Sequence, residues 1–133
     1  VNGKSDYLLL FRGTGWHQDL TPDEIQQTMT DWMAWFDRLV AEGRCKGGQS
    51  LADEGRVVSG KDRYVSDGPF AEAKEAVAGY FLLQVSDADE ALAIAQECPT
   101  LRFGMTVEIR PLRARCAASQ RVLDHNLAAA RQN

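Results

Sequence analysis

The chain has little that would staple it, charge it strongly or carry it across a membrane. Its 133 residues include three cysteines, Cys45, Cys98 and Cys116. An odd number without C-x-x-C spacing argues against a disulfide framework and predicts a reduced, cytoplasmic setting. His17 and His125 are the two histidines. Neither has a second histidine or cysteine at ligand spacing, so neither a metal nor a cofactor is expected. No apolar run approaches the roughly 18–20 residues of a membrane span. The stretch Val1–Leu10 is too weakly apolar for a secretory leader. Positive charge is not in excess, because 15 Lys+Arg face 19 Asp+Glu for a net charge of −4. Broad attraction to nucleic acid or to anionic lipid is therefore not expected.

The composition, 44% hydrophobic and 26% charged, is that of an ordinary globular domain. Tyr7–Arg12 (YLLLFR) reads as a buried strand ended by Gly13-Thr14-Gly15. Thr21-Pro22-Asp23-Glu24 opens a helix with a cap, a first-turn proline and acidic residues at the positive end of the dipole. Ile25, Met29, Trp32, Phe36, Leu39 and Val40 recur at helical spacing, with Met33 and Trp35 flanking that stripe and Gly43 as the stop. Gly47–Leu51 reads as a short strand. Arg56–Ser59 and Arg63–Val65 read as a hairpin, and Ser66–Phe70 as a turn leading into a helical turn at Ala71–Glu75. Val77–Val85 is the strongest strand and is apolar on both faces. Asp87 caps a second helix with Glu90 at the third position, and Ala91, Ile94, Ala95 and Cys98 form its inward stripe. Met105–Arg110 alternates as a closing strand.

The order is β-α-β, a hairpin excursion, then β-α-β. This predicts an α+β fold of the ferredoxin-like split βαβ type: an antiparallel sheet with both helices on one face. The other face would be left bare, which predicts a homodimer closing sheet against sheet. The predicted domain is 1–112. The extension 113–133 is expected to be helical, with Leu123, Leu127 and Ala130 on one side.

Two nucleotide motifs fail on inspection. Gly55–Lys61 has P-loop spacing, but Asp62 stands where a magnesium-binding hydroxyl belongs. Gly13-Thr14-Gly15 lacks a third glycine, since position 18 is Gln18. The more informative stretch is Asp67–Glu75 (DGPFAEAKE). Asp67 can brace its own turn through backbone N–H groups. Placed at the mouth of the sheet beside an apolar cavity, it would instead be a general base or a ligand-orienting group. A pocket is expected between the sheet and the first helix. Its polar residues would be Asp67, His17, Arg12 and Lys74, with Trp16, Trp35, Phe70 and Tyr80 as walls.

The segments YLLLFRGTGW (7–16), WMAWFDRL (32–39), GRVVSGKDRYVSDGPFAEAKEAVAGYFLLQV (55–85), DEALAIAQECP (89–99) and TVEIRPL (106–112) together resemble the YCII-related family, in particular its DGPF branch. The resemblance implies a dimeric α+β barrel built from ferredoxin-like protomers. It implies a small-molecule pocket near the DGPF turn. In lyase- or dehydrochlorinase-like members it implies a His–Asp pair, to which His17 and Asp67 would correspond. The family histidine falls near the start of the first helix, where this chain has Ile25, Gln26 and Gln27. Some DGPF members are encoded beside sigma factors, which adds an accessory partnership with such a regulator to the expectations.

Overall fold

In the computed structural model, residues 4–68, 75–114 and 116–132 are described. The chain runs through β1 (Ser5–Arg12), α1 (Pro22–Ala41), β2 (Cys45–Ser50), β3 (Gly55–Ser59), β4 (Tyr64–Gly68), β5 (Val77–Val85), α2 (Ala88–Ala95), a 3-10 turn (Leu101–Phe103), β6 (Thr106–Pro111) and α3 (Ala117–Arg131). Four strands form one antiparallel sheet in the order β2-β5-β1-β6, and β3 and β4 form a separate hairpin. With the hairpin set aside, this is the ferredoxin-like arrangement, in which the two βαβ halves interleave.

Alternation along the central strands fixes what each face does. Leu9 and Phe11 of β1 and Phe81, Leu83 and Val85 of β5 point to the helices and are buried. They pack with Trp35 and Leu39 of α1 and with Ala91, Ile94 and Ala95 of α2 in one core. The opposite face carries Leu8 and Leu10 against Leu82 and Tyr80 in register, all half-buried, with no helix over them among the described residues. Ion pairs rim this face: Arg12–Glu108 at 2.8 Å, Arg110–Glu108 at 3.2 Å and Lys46–Asp6 at 3.4 Å.

The helix starts follow from sequence. The Thr21 side chain accepts the Glu24 N–H while the Glu24 carboxylate accepts the Thr21 N–H, a complete capping box with Pro22 in the first turn. At α2, Asp87 accepts from the Glu90 N–H, but the Glu90 carboxylate returns to the Ser86 N–H, one residue before the cap. Arg44 then ties the end of α1 to the start of α2 through Glu90 at 2.9 Å.

Three local expectations need correction. The α1 stripe is rotated: Trp35, read from spacing as a flank, is in the core, while Met29 and Val40 are more than two-fifths exposed. The rotation buries Thr28, whose hydroxyl is satisfied by donating to the Glu24 carbonyl at 2.8 Å. β2 begins at Cys45 rather than Gly47, with a bulge between the two that the sequence pattern did not signal. Ser66, Asp67 and Gly68, expected as a turn, extend β4 opposite Val57, Arg56 and Gly55. A glycine permits this at position 68, where a Cβ would meet Val57 Cγ2 at 2.4 Å. The expected helical turn at Ala71–Glu75 lies outside the described residues except for Glu75.

Candidate functional site

A cavity of about 360 Å3 opens between α1 and the β2–β5–β1 end of the sheet. Phe11 of β1, Trp32 and Phe36 of α1, and Phe81 of β5 supply four of its rings, and Trp16 from the β1–α1 connection supplies a fifth. Phe11 stands edge-on to Trp32 and to Phe81 at 4.8 Å in both cases, and Phe36 lies 5.0 Å from Phe81. Trp16 is set from outside by stacking on Phe103 at 6.0 Å, and the Arg102 guanidinium covers that ring at 4.8 Å. Such offset and T-shaped contacts hold rings in fixed orientations. Met29, Met33 and Met105 complete the apolar wall.

Polar character is sparse. Gly48, Gln49 and Ser50 of β2 line the strand side, and Thr100 contributes a hydroxyl from below. That hydroxyl is already engaged, donating to Met105 Sδ at 2.9 Å and lying 3.3 Å from Cys98 Sγ. Burial pushes the Cys98 thiol above its ordinary pKa, which leaves it a packing residue rather than a nucleophile. No charged side chain lines the cavity among the described residues.

Of the residues expected here from sequence, Trp16 and Tyr80 border the cavity. Tyr80 pairs with Leu10 in register, so alternation turns its ring to the uncovered face and leaves its backbone on the cavity side. Trp35 is not a wall. It is 4% exposed behind the cavity, 5.0 Å from Phe81, and its indole Nε1 is buried without a hydrogen-bond partner among the described residues. Arg12 belongs to the uncovered face, where it binds Glu108 and donates to the Glu75 carbonyl at 2.9 Å. Together with Arg110, it holds the Glu108 carboxyl below its usual pKa. His17 is exposed beside Trp16, with ring centroids 5.4 Å apart. Asp67 is far from the arrangement expected of a general base: its side chain is 92% exposed on β4 and faces Arg56 at 3.3 Å. Phe70 and Lys74 lie outside the described residues.

The structure thus brings together Met29, Trp32 and Phe36, which spacing had assigned to the helix stripe, with Met33 from its flank, and leaves His17 and Asp67 outside the lining. The available signal was the unusual width of the α1 stripe. Among the described residues, no cluster of three or more His, Cys, Asp or Glu is placed to hold a metal ion. No helix among them is long and apolar enough to cross a membrane.

A four-stranded antiparallel sheet with two helices on one face and a ring-lined cavity beneath the first of them defines an α+β protein of the ferredoxin-like class. The chain belongs to the YCII-related domain family, whose model matches residues 7–113. No curated protein matches it. Among solved structures it is similar to the 5-chloro-2-hydroxyhydroquinone dehydrochlorinase of Burkholderia phenoliruptrix AC1100 in complex with 2,5-dihydroxybenzoquinone. The identity is 12% and the TM-score 0.41, over 81% of this chain and 93% of that one. So distant a likeness transfers neither substrate nor reaction.

Proposed function

We propose that this protein is a homodimeric small-molecule-binding protein whose ligand is an uncharged, ring-bearing molecule held between the sheet and α1. The composition of the cavity wall carries this reading: five aromatic rings, three methionines and no charged side chain among the described residues. Its volume of about 360 Å3 falls in the range of small-molecule sites. An ionised ligand would lose its hydration there without gaining a counter-charge. Met29 and Met33 at the mouth are 41% and 49% exposed, and their unbranched side chains adapt to more than one ligand shape. The homodimer is supported by the uncovered sheet face, with Leu8, Leu10 and Leu82 at its centre and rim charges of both signs. A two-fold contact, in which each patch meets its own copy, needs that balance.

A proton-transfer reaction through Asp67 or His17 is the weaker reading, since both are solvent-exposed and neither borders the cavity among the described residues. The binding reading is tested by titrating tryptophan fluorescence with 2-naphthol, a neutral two-ring probe. Saturable quenching is expected, with affinity falling at least tenfold in Met33→Glu, which puts a charge at the mouth on an exposed helix position. Quenching that stays linear with probe, or that Met33→Glu leaves unchanged, overturns the reading. Asp67→Asn is expected to bind as the parent does.

A further inference from the structure

The β3–β4 hairpin is an arm without a support of its own. Its strands pair with each other and, among the described residues, make no substantial contact with any other element. A lone two-stranded hairpin is marginal in water, yet this one keeps its apolar residues in solvent. Val58 is 65% exposed, Val65 51% and Tyr64 67%. Register shows how they are arranged. Val58 pairs with Val65 and Arg56 with Asp67, so one face presents a valine row above a row of one cation and one anion.

We propose that this face packs on the same face of a second copy, so that the two arms form a clasp across the dimer's two-fold axis. The charge pattern selects the occupant. Rotating one arm by 180° about an axis parallel to its strands, between two facing arms, lays β3 of one over β4 of the other. Arg56 of each copy then meets Asp67 of its partner, and Val58 of each meets Val65 of its partner, forming a charge quartet beside a valine quartet. A face with one residue of each sign at mirrored positions is complementary to itself. The exposed Arg56–Asp67 pair contributes little within a single arm. It becomes a set of cross-chain contacts once the valines exclude water. Four valines are too small a surface for a stable dimer, since stable interfaces bury on the order of 1,600 Å2. The clasp therefore acts beside the sheet-face contact and rests on the homodimer proposed above.

The test is thiol cross-linking of Val65→Cys in a Cys116→Ser background, in which Cys45 and Cys98 remain buried. The reagent is a bismaleimide of about 10 Å reach, the spacing of two sheets packed face to face. Val65→Cys is expected to give a covalent dimer at least tenfold faster than Arg121→Cys, a control position on exposed α3. Val58→Asp combined with Val65→Asp is expected to weaken the dimer at least tenfold while leaving the circular dichroism of the domain unchanged. Cross-linking at position 65 no faster than at 121, in a protein that is dimeric, overturns the clasp and leaves the sheet-face dimer standing. A wild-type protein that is monomeric at micromolar concentration overturns both. Leu82→Glu on the sheet face is expected to lose the dimer and the position-65 cross-link together, and a position-65 cross-link that persists at full rate in a monomeric Leu82→Glu protein overturns the clasp as a contact of that dimer.

Discussion

Gly48 sets how closely β2 can lie on β5 where the two strands floor the cavity. A Cβ at this position would stand 2.4 Å from the Tyr80 carbonyl oxygen and 2.6 Å from Phe81 Cδ1. Both neighbours are fixed, one by the backbone and the other by the ring cluster. Gly48→Ala is therefore expected to destabilise the protein by about 2 kcal/mol through overpacking. Urea unfolding would show this as a lower midpoint at unchanged slope. At this scale the sequence was only partly legible. Trp16 was expected as a wall, and it lines the cavity from the β1–α1 connection. Asp67 was misleading because its neighbours, a glycine and a proline, signal a bend whose direction depends on contacts far along the chain. Trp35 was misplaced by a rotation of the helix, which a three-to-four spacing leaves undetermined when apolar residues cover more than half of the circumference.

The elements themselves were more legible, because their ends are encoded locally. Thr21 and Asp87 cap the helices they were expected to cap, and the α2 stripe is buried as spaced. The partners of the Glu90 carboxylate are not encoded in the capping pattern. It accepts the Ser86 N–H and then binds Arg44, and these partners hold it below the ordinary glutamate pKa. A carboxyl depressed on folding contributes stability above its unfolded value, about 4.3. That contribution is lost as pH falls through the lower folded value. The Tm of Glu90→Gln is therefore expected to fall less than that of wild type between pH 6 and pH 3, while lying below it at pH 7. Equal acid slopes for the two proteins would show that the carboxylate is not coupled to folding. Ser66–Gly68 could not be recognised as strand because glycine at position 68 is read locally as a turn former, although its missing side chain is what lets the strand close on Val57.

At the scale of the molecule, the ferredoxin-like arrangement followed from the alternation of strand and helix patterns, since short connections and right-handed crossovers leave few other choices. That the hairpin leaves the sheet was legible as an excursion, but its lack of substantial contact with other elements among the described residues was not. α3 is similarly free. Its fifteen residues, Ala117–Arg131, are almost wholly exposed, and among the described residues they make no substantial contact with another element. Ending the chain at Arg113 is therefore expected to change Tm by no more than about 2 °C, because little buried area is lost. A larger drop in a calorimetric scan, growing with protein concentration, would place the helix against a partner copy.

The insertion of the arm also bears on how the domain assembles. Ser50 pairs with Gly79, so residues 51–78 must be looped out before β2 can join β5. Closing a long flexible loop costs entropy that grows with the logarithm of its length. The arm pairs through contacts only a few residues apart around the turn from Ser59 to Tyr64, and hairpins of this kind form within about 1–10 μs. Once formed, it shortens the effective gap to the segments on either side of it. It thus acts as a splice, drawing two strands distant in sequence closer to pairing range.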